Sequence, residues 1–273
     1  MRRPTETPPD DQAGCDPSTL ASVAAPLRWA GPLLAVDLPG VSARFSGRHG
    51  PAGLRTSAAG LDLGAHAGEE QLAANQHTLA DLVGMPVSAW AQGRQVHGAV
   101  VRRVRDVCVL DERDAAADGQ ALSLRGVAGV VLTADCLPVV VGSADAVAVL
   151  HAGWRGLAAG ILEEGVRALR GLGAHGPLAA VIGPGAGACC YEVGPEVRVA
   201  FAADGVLTGE GAHRIDLKVI AARRLHAAGV ETVHDCALCT MCAADPATGE
   251  RLFFSHRADG VPTGRQAGIA WLS

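Results

Sequence analysis

The sequence predicts a single mixed α/β domain, and three observations carry that prediction. Apolar, β-branched runs of strand length alternate with longer stretches of helical periodicity across residues 33–272. Glycine and proline pairs punctuate them at short intervals, with 35 glycines and 15 prolines in the 273 residues. Neither a linker-like segment nor an internal repeat divides the pattern, so one core built from both element types is the simplest architecture.

Residues 1–26 are rich in Pro, Asp, Thr and Ala and read as a mobile tail, leaving residues 27–273 as the domain. Strands are predicted at 33–38 and 41–45, parted by the turn pair Pro39-Gly40. A Gly/Pro/Ser-rich loop then runs to Gly60. Residues 69–83 are helical. Leu72, Leu79, Leu82 and Val83 share one face, and Glu69 and Glu70 occupy the first turn, where the helix dipole favours carboxylates. Gly84 and Pro86 end that helix. Strands at 88–92 and 99–104 flank a turn holding His97, and residues 111–120 form a polar, acidic loop containing Asp118.

The centre of the chain is VAGVVLTADCLPVVVGSADAVAVLHAGWRGLAAGI, residues 127–161. Its apolar runs 127–133 and 146–150 each deliver a reactive side chain, Cys136 after the first and His151 after the second. As neighbouring strands of one sheet they would set Cys136 against His151, in the strand-end loops where chemistry concentrates. A helix follows at 157–172, then a strand at 178–182, a glycine-rich loop at 183–194, and helices at 195–203 and 217–228. Gly229 closes the last of these, and strands at 230–233, 252–254 and 268–272 complete the pattern.

Composition excludes several classes. Hydrophobic residues make up 49%, enough for a sizeable core, while aromatics are 3% with one tyrosine, too few for base-stacking surfaces. The net charge of −5 and the lack of a large Lys/Arg cluster argue against nucleic acid as a partner. No apolar run has the length of a membrane span, and MRRPTETPPDDQ has no apolar segment behind its arginines, so neither a membrane anchor nor a secretory signal is expected. The eight irregularly placed cysteines then suit a cytoplasmic, reduced protein with metal-binding or reactive thiols.

His97, Cys136 and His151 are the candidate centre. Two imidazoles and a thiolate suit zinc, which in catalytic sites takes three protein ligands and keeps a position open. A metal-free alternative makes Cys136 a nucleophile with His151 as its base. A third reading makes all three ordinary packing residues. Residue types and spacing leave these readings open. A copper oxidase is poorly supported, because no two of the ten histidines are spaced His-x-His.

Other motifs are less specific. Residues 183–194 match a loose Gly-x-Gly-x-x-Ala fingerprint, but late in the chain, so a phosphate cradle or a plain tight loop fits better than a dinucleotide site. Cys236, Cys239 and Cys242, preceded by His234 and Asp235, are either soft metal ligands or reduced loop thiols. Arg48, Arg155, Arg257 and Arg265 lie in Gly- or Ser-rich turns, where a guanidinium binds phosphate or stays solvated.

In combination the motifs are specific. RQVHG (94–98), TADCLPV (133–139), HAGWRG (151–156), IGPGAGACCYEVG (182–194) and FFSHRADGVPTGRQA (253–267) resemble the YfiH family, in order, from about Phe45 to the C-terminus. That family has been labelled multicopper polyphenol oxidase, laccase-domain protein and peptidoglycan-editing factor. The resemblance implies a layered α/β/β/α sandwich with mixed sheets, of a cysteine-hydrolase-like type. It implies zinc held by His97, Cys136 and His151, and purine nucleoside phosphorolysis of adenosine, inosine, guanosine and methylthioadenosine, with adenosine deamination.

Purine nucleoside and phosphate would be the partners, and monomer and homodimer both remain compatible. Arg48, Asn75 and Arg155 fall where the family binds substrate. Asp118 would either protonate the base or orient a ligand histidine. Alternatives within the resemblance are a peptidoglycan-editing hydrolase and, less well supported, a copper laccase. Asp62 stands where Asn is usual, Gln76 where Arg is common, His256 where Tyr is usual, and the Cys239–Cys242 pair carries one cysteine more than the pattern.

Overall fold

Two six-stranded sheets packed face to face organise the protein. A computed structural model describes residues 23–49, 60–111, 113–204 and 213–273. Most of the tail and of the loop before Gly60 anticipated from the sequence therefore lie outside the described residues. In chain order the first strands are β1 (Arg28–Ala30), β2 (Leu33–Leu38), β3 (Val41–Ser46), β4 (Trp90–Ala91), β5 (Val101–Val104) and β6 (Gly119–Leu122). The rest are β7 (Ala128–Thr133), β8 (Leu137–Gly142), β9 (Val147–Ala152), β10 (Ala179–Ile182), β11 (Thr232–Asp235) and β12 (Gln266–Leu272). The helices are α1 (Glu69–Val83), α2 (Trp154–Ala158), α3 (Ile161–Gly171), α4 (Pro195–Ala200), α5 (Leu217–Ala227) and α6 (His256–Asp259).

One sheet runs β1-β2-β3-β12-β7-β4 and the other β11-β10-β8-β9-β6-β5. Both are mixed: β4–β7, β5–β6 and β10–β11 pair parallel, the remaining neighbours antiparallel. The side-chain period of two assigns the layers. Val140, Val147, Val149 and Val181 meet Val36, Phe45, Val131 and Ala270 between the sheets. The intervening Val139, Val141, Ala148 and Leu150 pack outward with Ile161 and Leu162 of α3 and Ile220 and Leu225 of α5. On the far side of the first sheet, Ala128, Val130 and Ile269 cover Leu79 and Ala80 of α1. The result is the α/β/β/α sandwich. No helix among the described residues is long and apolar enough to cross a membrane.

Several elements differ from the sequence expectation. The runs 127–133 and 146–150 are not neighbours in one sheet: β7 belongs to one and β9 to the other. The strand between them, β8, carries Pro138, a residue that argues against a central strand. Pro138 sits at the second position, opposite His151. The acidic loop 111–120 ends in β6, where Gly119 lies so close to β9 that a Cβ there would meet Leu150 at 2.6 Å. The helix expected at 157–172 is two helices, parted at Gly160 by a left-handed φ of +89°. Residues 252–254 form no strand; their apolarity fills the core, with the Phe253 ring stacked on Trp29 at 6.5 Å.

Candidate metal centre and its pocket

The β8–β9 hairpin brings the centre together. Antiparallel register sets Leu137 opposite Ala152 and Pro138 opposite His151, so Cys136, one residue before β8, faces Gly153. A side chain at 153 would not fit, since a Cβ there would lie 2.8 Å from Cys136 Sγ and 3.1 Å from His97 Cδ2. The glycine thus lets a thiol and an imidazole close over one point. The ligand atoms of His97, Cys136 and His151 all lie within 4.8 Å of one another. The two imidazole rings meet edge to face at 4.9 Å.

Asp118 orients both histidines. Its Oδ1 accepts from Nδ1 of His151 at 2.8 Å and from the backbone N–H of His97 at 2.9 Å. Its Oδ2 accepts from the N–H groups of Val96 and Gly98 at 3.1 and 2.8 Å. Three successive amides converge on one carboxylate because His97 takes a left-handed φ of 61°. Asp118 is fully buried. Burial works against its charge, but His151 and the amides of Gly98 and Val96 outweigh it and hold its pKa below the ordinary value. With Nδ1 of His151 engaged by Asp118, Nε2 is the nitrogen left for a ligand.

The same groups tune the thiol. Burial opposes the Cys136 thiolate, yet hydrogen bonds and charge from His151 and His97 overcome it and hold the thiol at about 6. Burial likewise opposes a charged His151, and Asp118 and Cys136 together raise it to about 9. One thiol, two orientable imidazoles and an aqueous opening form a donor set that fits zinc.

A pocket of about 770 Å³ opens over the centre. His97, Cys136 and His151 line it, with Tyr191, Arg155 and Arg257 among the surrounding side chains. Arg94, Arg265, His66 and His256 add further basic groups to its wall. The Arg155 guanidinium rests 4.4 Å over the Trp154 ring and has no carboxylate partner among the described residues. Arg257 lies 5.1 Å over the Tyr191 ring and donates to the Glu192 carbonyl at 2.9 Å.

Arg48 and Asn75 are not among the residues lining the pocket. Arg48 pairs with Asp259 at 2.5 Å and stacks 4.6 Å over Phe254. Asp259 also accepts from Ser255 N–H and the Thr263 hydroxyl, which fixes the segment carrying His256 and Arg257. Asn75 is buried and donates to the Asp62 carbonyl at 2.7 Å. Asp62 in turn pairs with His66 at 2.9 Å and accepts from Arg265 N–H at 2.8 Å. Both residues therefore brace the wall from behind.

Two supports escape sequence reasoning. Asp135, at a left-handed φ of 89°, accepts from Thr240 Oγ1 at 2.7 Å and from Arg257 N–H at 2.8 Å. Gln95 clamps the His97 turn to β7 by exchanging two 2.7 Å hydrogen bonds with Leu132. TADC and RQVHG contain these residues, but no local signal distinguishes them from solvated polar groups. The amides of Gly183, Gly185 and Ala186, which a phosphate cradle would use, instead donate to the carbonyls of Pro138, Leu238 and Asp135. A Cβ at Gly183 would strike the Phe45 ring at 2.4 Å, and one at Gly185 would strike Leu137 at 2.4 Å. These glycines serve close packing.

The family model described as multi-copper polyphenol oxidoreductase laccase matches residues 42–273. A Xylella fastidiosa protein named purine nucleoside phosphorylase is 40% identical over 215 residues, 72% of this chain and 77% of its own. The chain belongs to the YfiH/laccase-domain family. Within that family, Escherichia coli purine nucleoside phosphorylase YfiH is 35% identical over 225 residues, 78% of this chain and 86% of its own. The crystal structure of the Bacillus licheniformis family member YfiH superposes with a TM-score of 0.79 at 28% identity, covering 92% of this chain and all of that one.

Proposed function

We propose that the protein is a zinc-dependent purine nucleoside phosphorylase, acting on adenosine, inosine, guanosine or methylthioadenosine, with adenosine deamination as a second activity. The observation that carries the reading is one pocket in which the His97–Cys136–His151 centre and the unpaired-by-carboxylate Arg155 lie together. Its size suits a nucleoside with phosphate. The naming of relatives at 35–40% identity as purine nucleoside phosphorylases supports a purine nucleoside and phosphate as the substrate class.

In phosphorolysis a phosphate oxygen bonds to C1′ of the ribose as the C1′–N9 bond breaks. The bonding electrons leave with the purine, which takes up a proton, and ribose 1-phosphate remains. Zinc held by His97, Cys136 and His151 would supply Lewis acidity to this site. Arg155 and Arg257 bind the phosphate and orient its oxygen toward C1′. Tyr191 and Trp154 close the pocket around the nucleoside. Asp118 is a positioning residue. Its oxygens are taken up by His151 and three amides, so it aligns the ligand histidines and is not the acid that protonates the base.

The test is incubation of purified, zinc-replete protein with each nucleoside and phosphate, with chromatography of base and ribose 1-phosphate. Phosphate-dependent release of both is the expected result; no phosphate-dependent release from any of the four overturns the reading.

One observation favours a second reading. The thiol at about 6 beside an imidazole at about 9, backed by Asp118, is also a Cys-His-Asp nucleophile arrangement. A metal-free hydrolase of this kind, including a peptidoglycan-editing one, retains full activity after exhaustive chelation, whereas the zinc reading predicts its loss.

A further inference from the structure

A second cluster lies outside this centre. Among the described residues, the sulfurs of Cys189, Cys190, Cys239 and Cys242 all lie within 4.8 Å of one another. The sequence groups Cys236 with Cys239 and Cys242, but the fold separates them. Cys236 is buried with its sulfur 3.8 Å from Lys218 Nζ, while Cys239 and Cys242 meet two cysteines some fifty residues upstream.

The topology explains the meeting. β10 and β11 are parallel neighbours with Ile182 opposite Asp235, so the loops that follow them leave the same end of the sheet. Gly185 then pairs with the second loop, donating to Leu238 O and accepting from Thr240 N–H at 3.1 Å. Each loop closes in a tight turn: Cys190 N–H donates to Gly187 O at 3.0 Å, and Ala243 N–H to Cys239 O at 2.9 Å. A side chain at Gly187 would crowd the cluster, because a Cβ would lie 3.2 Å from both Cys189 Sγ and Cys239 Cβ. Its N–H instead points at Cys239 Sγ, 3.3 Å away.

The sulfur spacing selects the ligand. Cys189 and Cys242 sulfurs are 3.7 Å apart, far beyond a disulfide bond of about 2.05 Å. Four thiolates at about 2.3 Å from one tetrahedral zinc ion stand about 3.8 Å from each other. Sulfurs this close leave room for one ion and not for a multi-iron cluster. The amide of Gly187 and the nearby ammonium of Lys218, bonded to Leu238 O at 3.0 Å, offset negative charge gathered there.

We propose that Cys189, Cys190, Cys239 and Cys242 form a second, structural metal site that takes a single zinc ion as a tetrathiolate. Binding releases one proton from each thiol that enters it protonated. The site ties the active pocket's wall together. Cys190 precedes Tyr191, which lines the pocket, and Thr240, between the ligands Cys239 and Cys242, holds the Asp135 carboxylate next to Cys136.

The experiment measures metal per chain by elemental mass spectrometry on full-length protein purified under reducing conditions with zinc. Two equivalents are expected in the unaltered protein, and one in Cys189→Ser/Cys242→Ser. A second measurement does not depend on that variant folding. His97→Ala/Cys136→Ser lacks the first centre, and cobalt(II) added to it should give the intense sulfur-to-cobalt absorption of a tetrathiolate. Absence of that absorption, unchanged metal content on losing Cys189 and Cys242, or recovery of these sulfurs as a disulfide from the reduced preparation each overturns the proposal.

Discussion

Asp118 grips His151 from the ring and His97 from the backbone: one carboxylate oxygen sits 2.8 Å from Nδ1 of His151 and 2.9 Å from the amide nitrogen of His97. Both histidines of the candidate centre therefore depend on a group that is not among the residues lining the pocket. Asp118→Asn puts an amide where a carboxylate accepted four hydrogen bonds, and the amide has only one acceptor oxygen. Zinc affinity should fall by roughly 10- to 100-fold, measured by competition with a chromophoric chelator, while the sandwich stays folded by circular dichroism.

Gly153 gives an independent test of the same geometry. An added methyl would lie 2.8 Å from Cys136 Sγ, closer than real Cβ contacts come, and a tight 3.1 Å from His97 Cδ2. Gly153→Ala should force the thiol and the imidazole apart, abolish binding of one zinc equivalent, and leave the cores untouched. Because φ at Gly153 is −72°, alanine meets no backbone penalty, so the loss is assignable to the contact.

The sequence and the structure part company where contacts are long-range. The strands β2 and β12 and the helix α1 were legible from period and punctuation because each buries one face of a regular element. The strand β8 was not, because Pro138 breaks the pattern in the place that brings Cys136 beside His151. His97, Cys136 and His151 stand out by chemistry and by motif. The two roles open to Asp118 were separable only by its partners, three of which are amides that converge through the positive φ of His97. Thr240 and Asp135 are 105 residues apart, so no local pattern links them. Arg48 and Arg155 look alike in sequence, both in glycine-containing turns, and only packing tells the braced one from the one facing the pocket.

That difference predicts opposite phenotypes. Arg155→Met removes a guanidinium from the pocket wall and should raise the KM for phosphate about 10- to 100-fold, the worth of one charge-assisted hydrogen bond, with little change in the urea midpoint. Arg48→Met removes the half-buried pair with Asp259 and should lower stability by about 1 kcal/mol, with a smaller effect on phosphate. Steady-state kinetics at varied phosphate, paired with urea melts, separates them. The reverse order would make Arg48 the phosphate contact.

The thiol provides a pH signature in protein stripped of metal. Burial disfavours the Cys136 thiolate, but the imidazoles of His151 and His97 favour it more, and its pKa falls to about 6. The charged form is the deprotonated one, so a lowered pKa means that thiolate is present above about pH 6 and lost below it. Alkylation of Cys136 by iodoacetamide, followed by peptide mass spectrometry, should rise with pH through about 6 and then level off. Added glutathione supplies the contrast within the same sample, rising only toward about 8.5, where an ordinary thiol titrates. His151→Ala removes the larger of the two imidazole contributions to the thiolate and should shift the Cys136 profile upward toward that of the free thiol. Adding zinc back to the unaltered protein should suppress Cys136 alkylation across the whole range, because the sulfur's lone pair is then engaged. A Cys136 profile that tracks the free thiol in the unaltered metal-free protein would show that the imidazoles do not act on the thiol as their positions require.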